Sequence, residues 1–133
     1  MTLVELEDKL RAALAGRADL RFAILFGSSV SRGPDAARDV DVALAPRVSM
    51  SLMELGALAV DLERAIGHDV DVIDLDGAST LLRWEVLRGG RVVHVSDEDA
   101  LRAFRVYVPL EYADLRPYLE LEAEGLRRAL GAG

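Results

Sequence analysis

Cysteine is absent from the 133 residues, which rules out disulfides and thiolate metal sites. Lysine is nearly absent as well: of the 16 basic residues only Lys9 is a lysine, a bias that fits a GC-rich or heat-adapted source. Positive charge of either kind is in deficit, with 23 acidic residues against those 16 and a net charge of −7. A surface of that sign does not track the phosphates of DNA or RNA, so no direct nucleic-acid binding is expected. A nucleotide remains compatible, because a divalent cation can sit between phosphates and carboxylates. No apolar run has membrane-spanning length, and the first segment, MTLVELEDKLRAAL, carries acids where a secretion signal needs bases. No membrane association is expected, and the simplest location is cytoplasmic. Apolar residues, by contrast, make up 51% of the chain, which suits one domain with a real core.

The apolar residues fall into readable periods. Thr2 and Glu5 have capping-box spacing, and Leu3, Leu6, Leu10 and Leu14 then repeat as one helical face up to Gly16. RFAILF, Arg21 to Phe26, predicts a short buried strand. Gly27 to Arg38 predicts a polar loop, with room for one helical turn after Ser28. DVDVAL predicts a second strand that Pro46 stops, with Asp39, Asp41 and Ala43 on one face and Val40, Val42 and Leu44 on the other. Ser51 and Glu54 cap a helix carrying Leu52, Leu55, Leu58 and Leu62, ending near Gly67. DVDVIDL is a third strand, Ser79 to Arg88 a short helix, and RVVHV a fourth strand. From Ser96 onward the pattern is helical, and Pro109 and Pro117 are expected to break it into two or three pieces. The close β-β step excludes a pure doubly wound fold. The expectation is an α+β fold: a small mixed sheet of about four strands, helices on one face, and a helical tail.

Two short strings carry chemistry. Residues i and i+2 of a strand point the same way, so Asp39 and Asp41 can aim at one divalent ion while Val40 anchors the opposite face. Asp71 has the same setting on the third strand, flanked by Asp69 and Asp74 as further candidates. If the second and third strands are neighbours, Asp71 completes a three-carboxylate cluster. Such a cluster repels itself unless cations neutralise it, and Mg²⁺ is the hard, oxygen-seeking ion that suits it. Two such ions can stabilise both the attacking and leaving oxygens of a phosphoryl or nucleotidyl transfer. Upstream, Gly27 ends a strand and lets backbone approach a phosphate, with Ser28 and Ser29 in the following turn and Arg32 within the same loop. A lone Gly-Ser or a lone Asp-x-Asp is weak. Their conjunction with a third strand aspartate is not.

Gly27-Ser28, ten residues, then Asp39-Val40-Asp41 and a later VDVIDL resemble the nucleotidyltransferase superfamily of the DNA polymerase β type. The chain is most similar to its minimal members, the MNT antitoxins paired with HEPN-domain toxins. The resemblance spans the chain as a single nucleotidyltransferase domain, residues 1–133, with a core of about 1–95 and a helical tail of about 96–130. It implies that Asp39, Asp41 and Asp71 are catalytic and bind two Mg²⁺ ions, Asp71 helping to activate the attacking hydroxyl. It implies that Gly27 and Ser28 hold the triphosphate of ATP. It also implies transfer of AMP to a tyrosine of a HEPN toxin encoded next to the protein, within a hetero-oligomer. The loop departs from the family's usual Gly-Ser-Arg-Ala-Arg-Gly, reading Gly-Ser-Ser-Val-Ser-Arg-Gly, and Arg38 stands where a Ser commonly precedes the first aspartate.

Alternative expectations come from two classes. The acceptor could be a small molecule such as an aminoglycoside, although enzymes of that kind carry an extra helical domain. Or the protein could be a non-catalytic antitoxin acting by occlusion. Other conspicuous residues have plainer readings: His68 in a loop, His94 in a strand, Trp84 in the core under the short helix, Arg127 and Arg128 in solvent. Four of the seven aromatics, Phe104, Tyr107, Tyr112 and Tyr118, lie in the tail, where packing on the core is the first expectation and a partner surface the second.

Overall fold

A computed structural model describes residues 1–131. Its helices begin where the sequence supplies caps. Thr2 accepts the Glu5 N–H and opens α1 (Leu3–Leu14). Ser51 opens α3 (Leu52–Ile66) with a reciprocal box, Glu54 returning a bond to the Ser51 N–H. Ser79 accepts the Leu82 N–H at the start of α4 (Thr80–Gly89). Each cap satisfies an otherwise unpaired first-turn N–H and contributes about 1 kcal/mol. Between these lie β1 (Leu20–Phe26), a single turn α2 (Ser28–Ser31), β2 (Val40–Pro46), β3 (Val70–Asp74) and β4 (Arg91–Val95), with α5 (Glu98–Gly131) last.

The strands form one mixed sheet in the order β3-β2-β1-β4. β1 is antiparallel to both neighbours, whereas β3 runs parallel to β2 after the α3 crossover. This is the expected α+β architecture. One face is covered by α1 and α3: Leu6, Leu10, Leu14, Leu58, Leu62 and Ile66 bury against Ala23, Leu25, Val40, Val42 and Leu44. Burying a leucine of this kind stabilises the fold by about 1.5–3 kcal/mol. The opposite face is also covered along part of its length, which goes beyond the one-face expectation. There α4 and α5 bring Val86 and Leu101 onto Phe22, Ile24, Ala43 and Ala45. The reason is visible in β1, whose side chains are apolar on both faces, so that a central strand needs cover on both. Gly90 permits the close approach at the end of α4, since a Cβ there would strike Ile24 and the Val86 carbonyl.

The tail differs from expectation. Neither proline breaks it: α5 is one helix of 34 residues with Pro109 and Pro117 inside it. Each proline removes one hydrogen bond, to the carbonyl of Arg105 or Ala113 four residues earlier. Both of those residues are exposed, so water can satisfy the released carbonyls. Contacts then hold the helix in place across the first proline. Phe104 packs on Phe22 with ring centroids 5.2 Å apart, and Val108 is buried. Tyr112 stacks on Trp84 at 4.5 Å with the rings 5° from parallel. Trp84 is accordingly half-buried between α4 and α5 rather than beneath α4.

Candidate functional site

The strand pairing decides which carboxylates meet. Asp41, the second residue of β2, lies opposite Phe26 on β1 and opposite Asp71 on β3. Paired positions share a face, and hydrogen-bonded strands lie about 4.8 Å apart, so the Asp41 and Asp71 side chains emerge side by side. On the reverse of the sheet Val40 and Val42 are buried against the α1–α3 layer and pin β2 in this register. Asp39 stands just before β2 and is exposed. Burial raises the Asp41 carboxyl above its ordinary value, and the charges of Asp71 and then Asp39 raise it further. The three acids therefore share one electrostatic neighbourhood.

Gly27 belongs to the same place. It follows Phe26 at the end of β1 with φ +82°, a left-handed conformation that L side chains adopt at a cost of roughly 1–2 kcal/mol. A Cβ at this position would also collide with Asp41 Oδ2. The missing side chain is thus the space that the Asp41 carboxylate occupies. The Gly-Ser turn and the Asp-x-Asp strand form one physical unit.

The remaining loop residues divide. Ser28 is half-buried at the start of α2, beside Gly27. Ser29 is fully buried, and its hydroxyl donates to the Phe26 carbonyl at 3.4 Å, so it braces the turn from within. Arg32 ends α2 with its N–H bonded to the Ser28 carbonyl, while the residue itself is exposed. Asp69 precedes β3, and Asp74, at its end, accepts the Asp76 N–H. His94 Nε2 lies 2.9 Å from the Arg17 carbonyl, a strand residue tied to a loop.

Among the described residues no three acidic or imidazole side chains converge into a ready-made coordination group. Mutual repulsion of Asp39, Asp41 and Asp71 opposes such convergence. As a donor set, three carboxylates are hard oxygen ligands with no imidazole or thiolate, which fits Mg²⁺ and does not fit softer metals.

Sequence reasoning passed over two neighbours of these acids. Phe26, opposite Asp41, and Ile73, two residues beyond Asp71, are half-buried apolar side chains on the acidic face. Ile73 alternates with Asp69 and Asp71, which was a usable signal, whereas Phe26 lies on a strand without acids and only the strand pairing makes them one surface. A cavity of about 280 Å³ on this side of the sheet is lined by Arg21, Phe22, Ala45, Arg83, Phe104 and Tyr107, and by none of the three aspartates.

Residues 8–99 match the family described as polymerase beta, nucleotidyltransferase. No sequence among curated proteins matches the chain. Solved structures do. A toxin–antitoxin with AMP-PNP shares 25% identity at a TM-score of 0.75, covering 90% of this chain and 97% of that one. The tri-AMPylated Shewanella oneidensis HEPN toxin in complex with MNT antitoxin shares 23% identity at 0.72, covering 93% and 98%. The toxin–antitoxin MntA-HepT also shares 23% at 0.72, covering 92% and 97%. At 23% identity the likeness is one of fold.

Proposed function

Because the chain belongs to the polymerase β-type nucleotidyltransferase family, we propose that it is a Mg²⁺-dependent adenylyltransferase and an antitoxin. It transfers AMP from ATP to a tyrosine hydroxyl of a partner HEPN toxin and thereby neutralises it. The observation that carries this reading is the pairing of Asp41 with Asp71 across β2 and β3, with the Asp41 carboxylate seated in the space left by Gly27. A solvated acidic edge would need neither the register nor the glycine.

In this reading Asp39, Asp41 and Asp71 would hold two Mg²⁺ ions, which would supply positive charge against the negative charge of the reacting phosphates. The chain's own residues do the rest. Gly27 keeps the turn low enough for a triphosphate to approach the backbone, and Ser28 offers a hydroxyl beside it. Arg32 reaches the same phosphates from the loop. Ser29 acts through the shape of the turn, because its hydroxyl is already bonded inward. Asp71 is the more exposed of the two paired acids and accepts the proton of the attacking hydroxyl. The acceptor oxygen bonds to the α-phosphorus, the bond from that phosphorus to the bridging oxygen breaks, and pyrophosphate departs.

The acceptor's identity has its own support. Solved structures that it resembles over 90% or more of both chains are toxin–antitoxin pairs rather than enzymes acting on a small acceptor such as an aminoglycoside. A partner protein supplies the hydroxyl more simply, and a net charge of −7 suits a basic, RNA-cleaving one. The test is incubation with ATP, Mg²⁺ and the HEPN protein encoded beside it, followed by intact mass measurement. An added AMP with the native chain, lost in Asp39→Asn/Asp41→Asn, is the expected result. No adduct, with toxin neutralisation undiminished in that double variant, would leave the occlusion reading in its place.

A further inference from the structure

The face of α5 that enters the core does not stop where the core stops. Leu101, Phe104, Val108, Tyr112, Leu115, Leu119, Leu126 and Leu130 recur at steps of three and four, with Glu122 the single interruption. The first half of this seam is used within the chain: Leu101 and Val108 are buried, Phe104 lies on Phe22, and Tyr112 on Trp84. Past Tyr112, among the described residues, the seam has no buried position. Leu115 and Leu119 are half-buried, every residue from Glu120 to Gly131 is exposed, and Leu126 and Leu130 are 60% and 79% accessible. Tyr118 and Leu121, each 67% accessible, flank the seam.

An amphipathic stripe held out in water gains nothing from its leucines, and a helix this short beyond its support is marginal alone. Some of the polar groups around it pair with each other: Arg116 with Glu120 and Arg128 with Glu124 along the helix. What is left is apolar surface at helical spacing, which ridges of another helix complement. A second copy of this chain would bring a further −7 against the same surface, so self-association is opposed, and a basic partner is favoured.

We propose that the free half of the seam, Leu115, Leu119, Leu126 and Leu130 with Tyr118 and Leu121 beside it, is the docking surface for a basic, helical partner protein. The inference rests on the transferase reading for the partner's identity, since a partner gripped by α5 is the one whose hydroxyl would be presented to the acidic face. The core and the tail thereby divide the work between chemistry and capture.

The experiment measures binding of the co-encoded HEPN protein to the full chain by calorimetry or surface plasmon resonance. Leu119→Arg/Leu126→Arg is expected to weaken binding about 30-fold or more, as loss of a buried apolar anchor does. Leu126→Arg/Leu130→Arg alters only exposed side chains, so a folding defect cannot account for its loss. Both variants should keep the thermal shift that ATP and Mg²⁺ give the native chain. Binding within threefold of native in both overturns the docking surface and leaves the transferase reading standing. Sedimentation showing that the isolated chain forms a dimer which these substitutions abolish also overturns it, in favour of a second copy. Binding by the native chain that both variants lose, with no AMP transfer by the native chain, does the reverse: the surface stands and the transferase reading falls.

Discussion

Gly27 shows how much one residue can decide. Its φ of +82° and the Asp41 oxygen packed against its missing Cβ are two independent reasons against any side chain. Gly27→Ala is therefore expected to cost about 1–3 kcal/mol in urea unfolding and to displace the Asp41 carboxylate. Transfer activity should fall with it, by about 100-fold or more. Asp41 makes the opposite trade. Its folded pKa is raised, so between the ordinary 3.8 and the raised value the folded protein holds more protons than the unfolded chain. Stability from this group falls as pH rises through that window and remains reduced at neutral pH. Asp41→Asn removes the buried charge, and with it both its desolvation cost and its repulsion by Asp71 and Asp39. We expect a gain on the order of 0.5 kcal/mol at pH 7, small because solvent screens a partly exposed group. The gain should vanish under conditions acid enough to protonate the carboxylate in both states, while AMP transfer is lost at every pH.

The elements show where local rules hold and where they yield. The caps at Thr2, Ser51 and Ser79 were legible because a hydroxyl and a first-turn N–H are neighbours in sequence. The prolines of α5 misled because their cost depends on what surrounds the released carbonyls, which sequence does not reveal. Arg105 and Ala113 face water, and the packing of Val108 and Tyr112 holds the helix through Pro109. Pro117 has no such packing after it. Pro117→Ala should therefore raise helical circular dichroism near the tail's contribution while moving the midpoint of core unfolding by less than about 2 °C. A shift of the whole transition would mean that the distal tail is coupled to the sheet.

At the scale of the whole molecule, charge is the dominant quantity. The acids of β2 and β3 sit on a chain already at −7, so a divalent cation relieves local and global repulsion together. Millimolar Mg²⁺ is expected to raise the thermal midpoint of the native chain by a few degrees, about RT ln(1 + [L]/Kd) in free energy. Asp39→Asn/Asp41→Asn should abolish that shift while leaving the response to monovalent salt. Both faces of the sheet are occupied, and the acids lie where neither helical layer covers them. Among the described residues no helix is long and apolar enough to cross a membrane.

The sequence by itself determined the strands, the caps, the apolar period of each helix and the candidate acids, because each is written in neighbours a few residues apart. It also carried the family likeness, through a glycine turn and spaced aspartates that a short reading frame can hold. Only the tertiary structure decided that Asp71 stands opposite Asp41 and that Gly27 makes room for a carboxylate fourteen positions on. Strand order and register are set by burial on both faces of the sheet, and no local pattern encodes which strands become neighbours. The tail's continuity was decided there too. A proline's penalty, like a leucine's gain, is fixed by what lies against it.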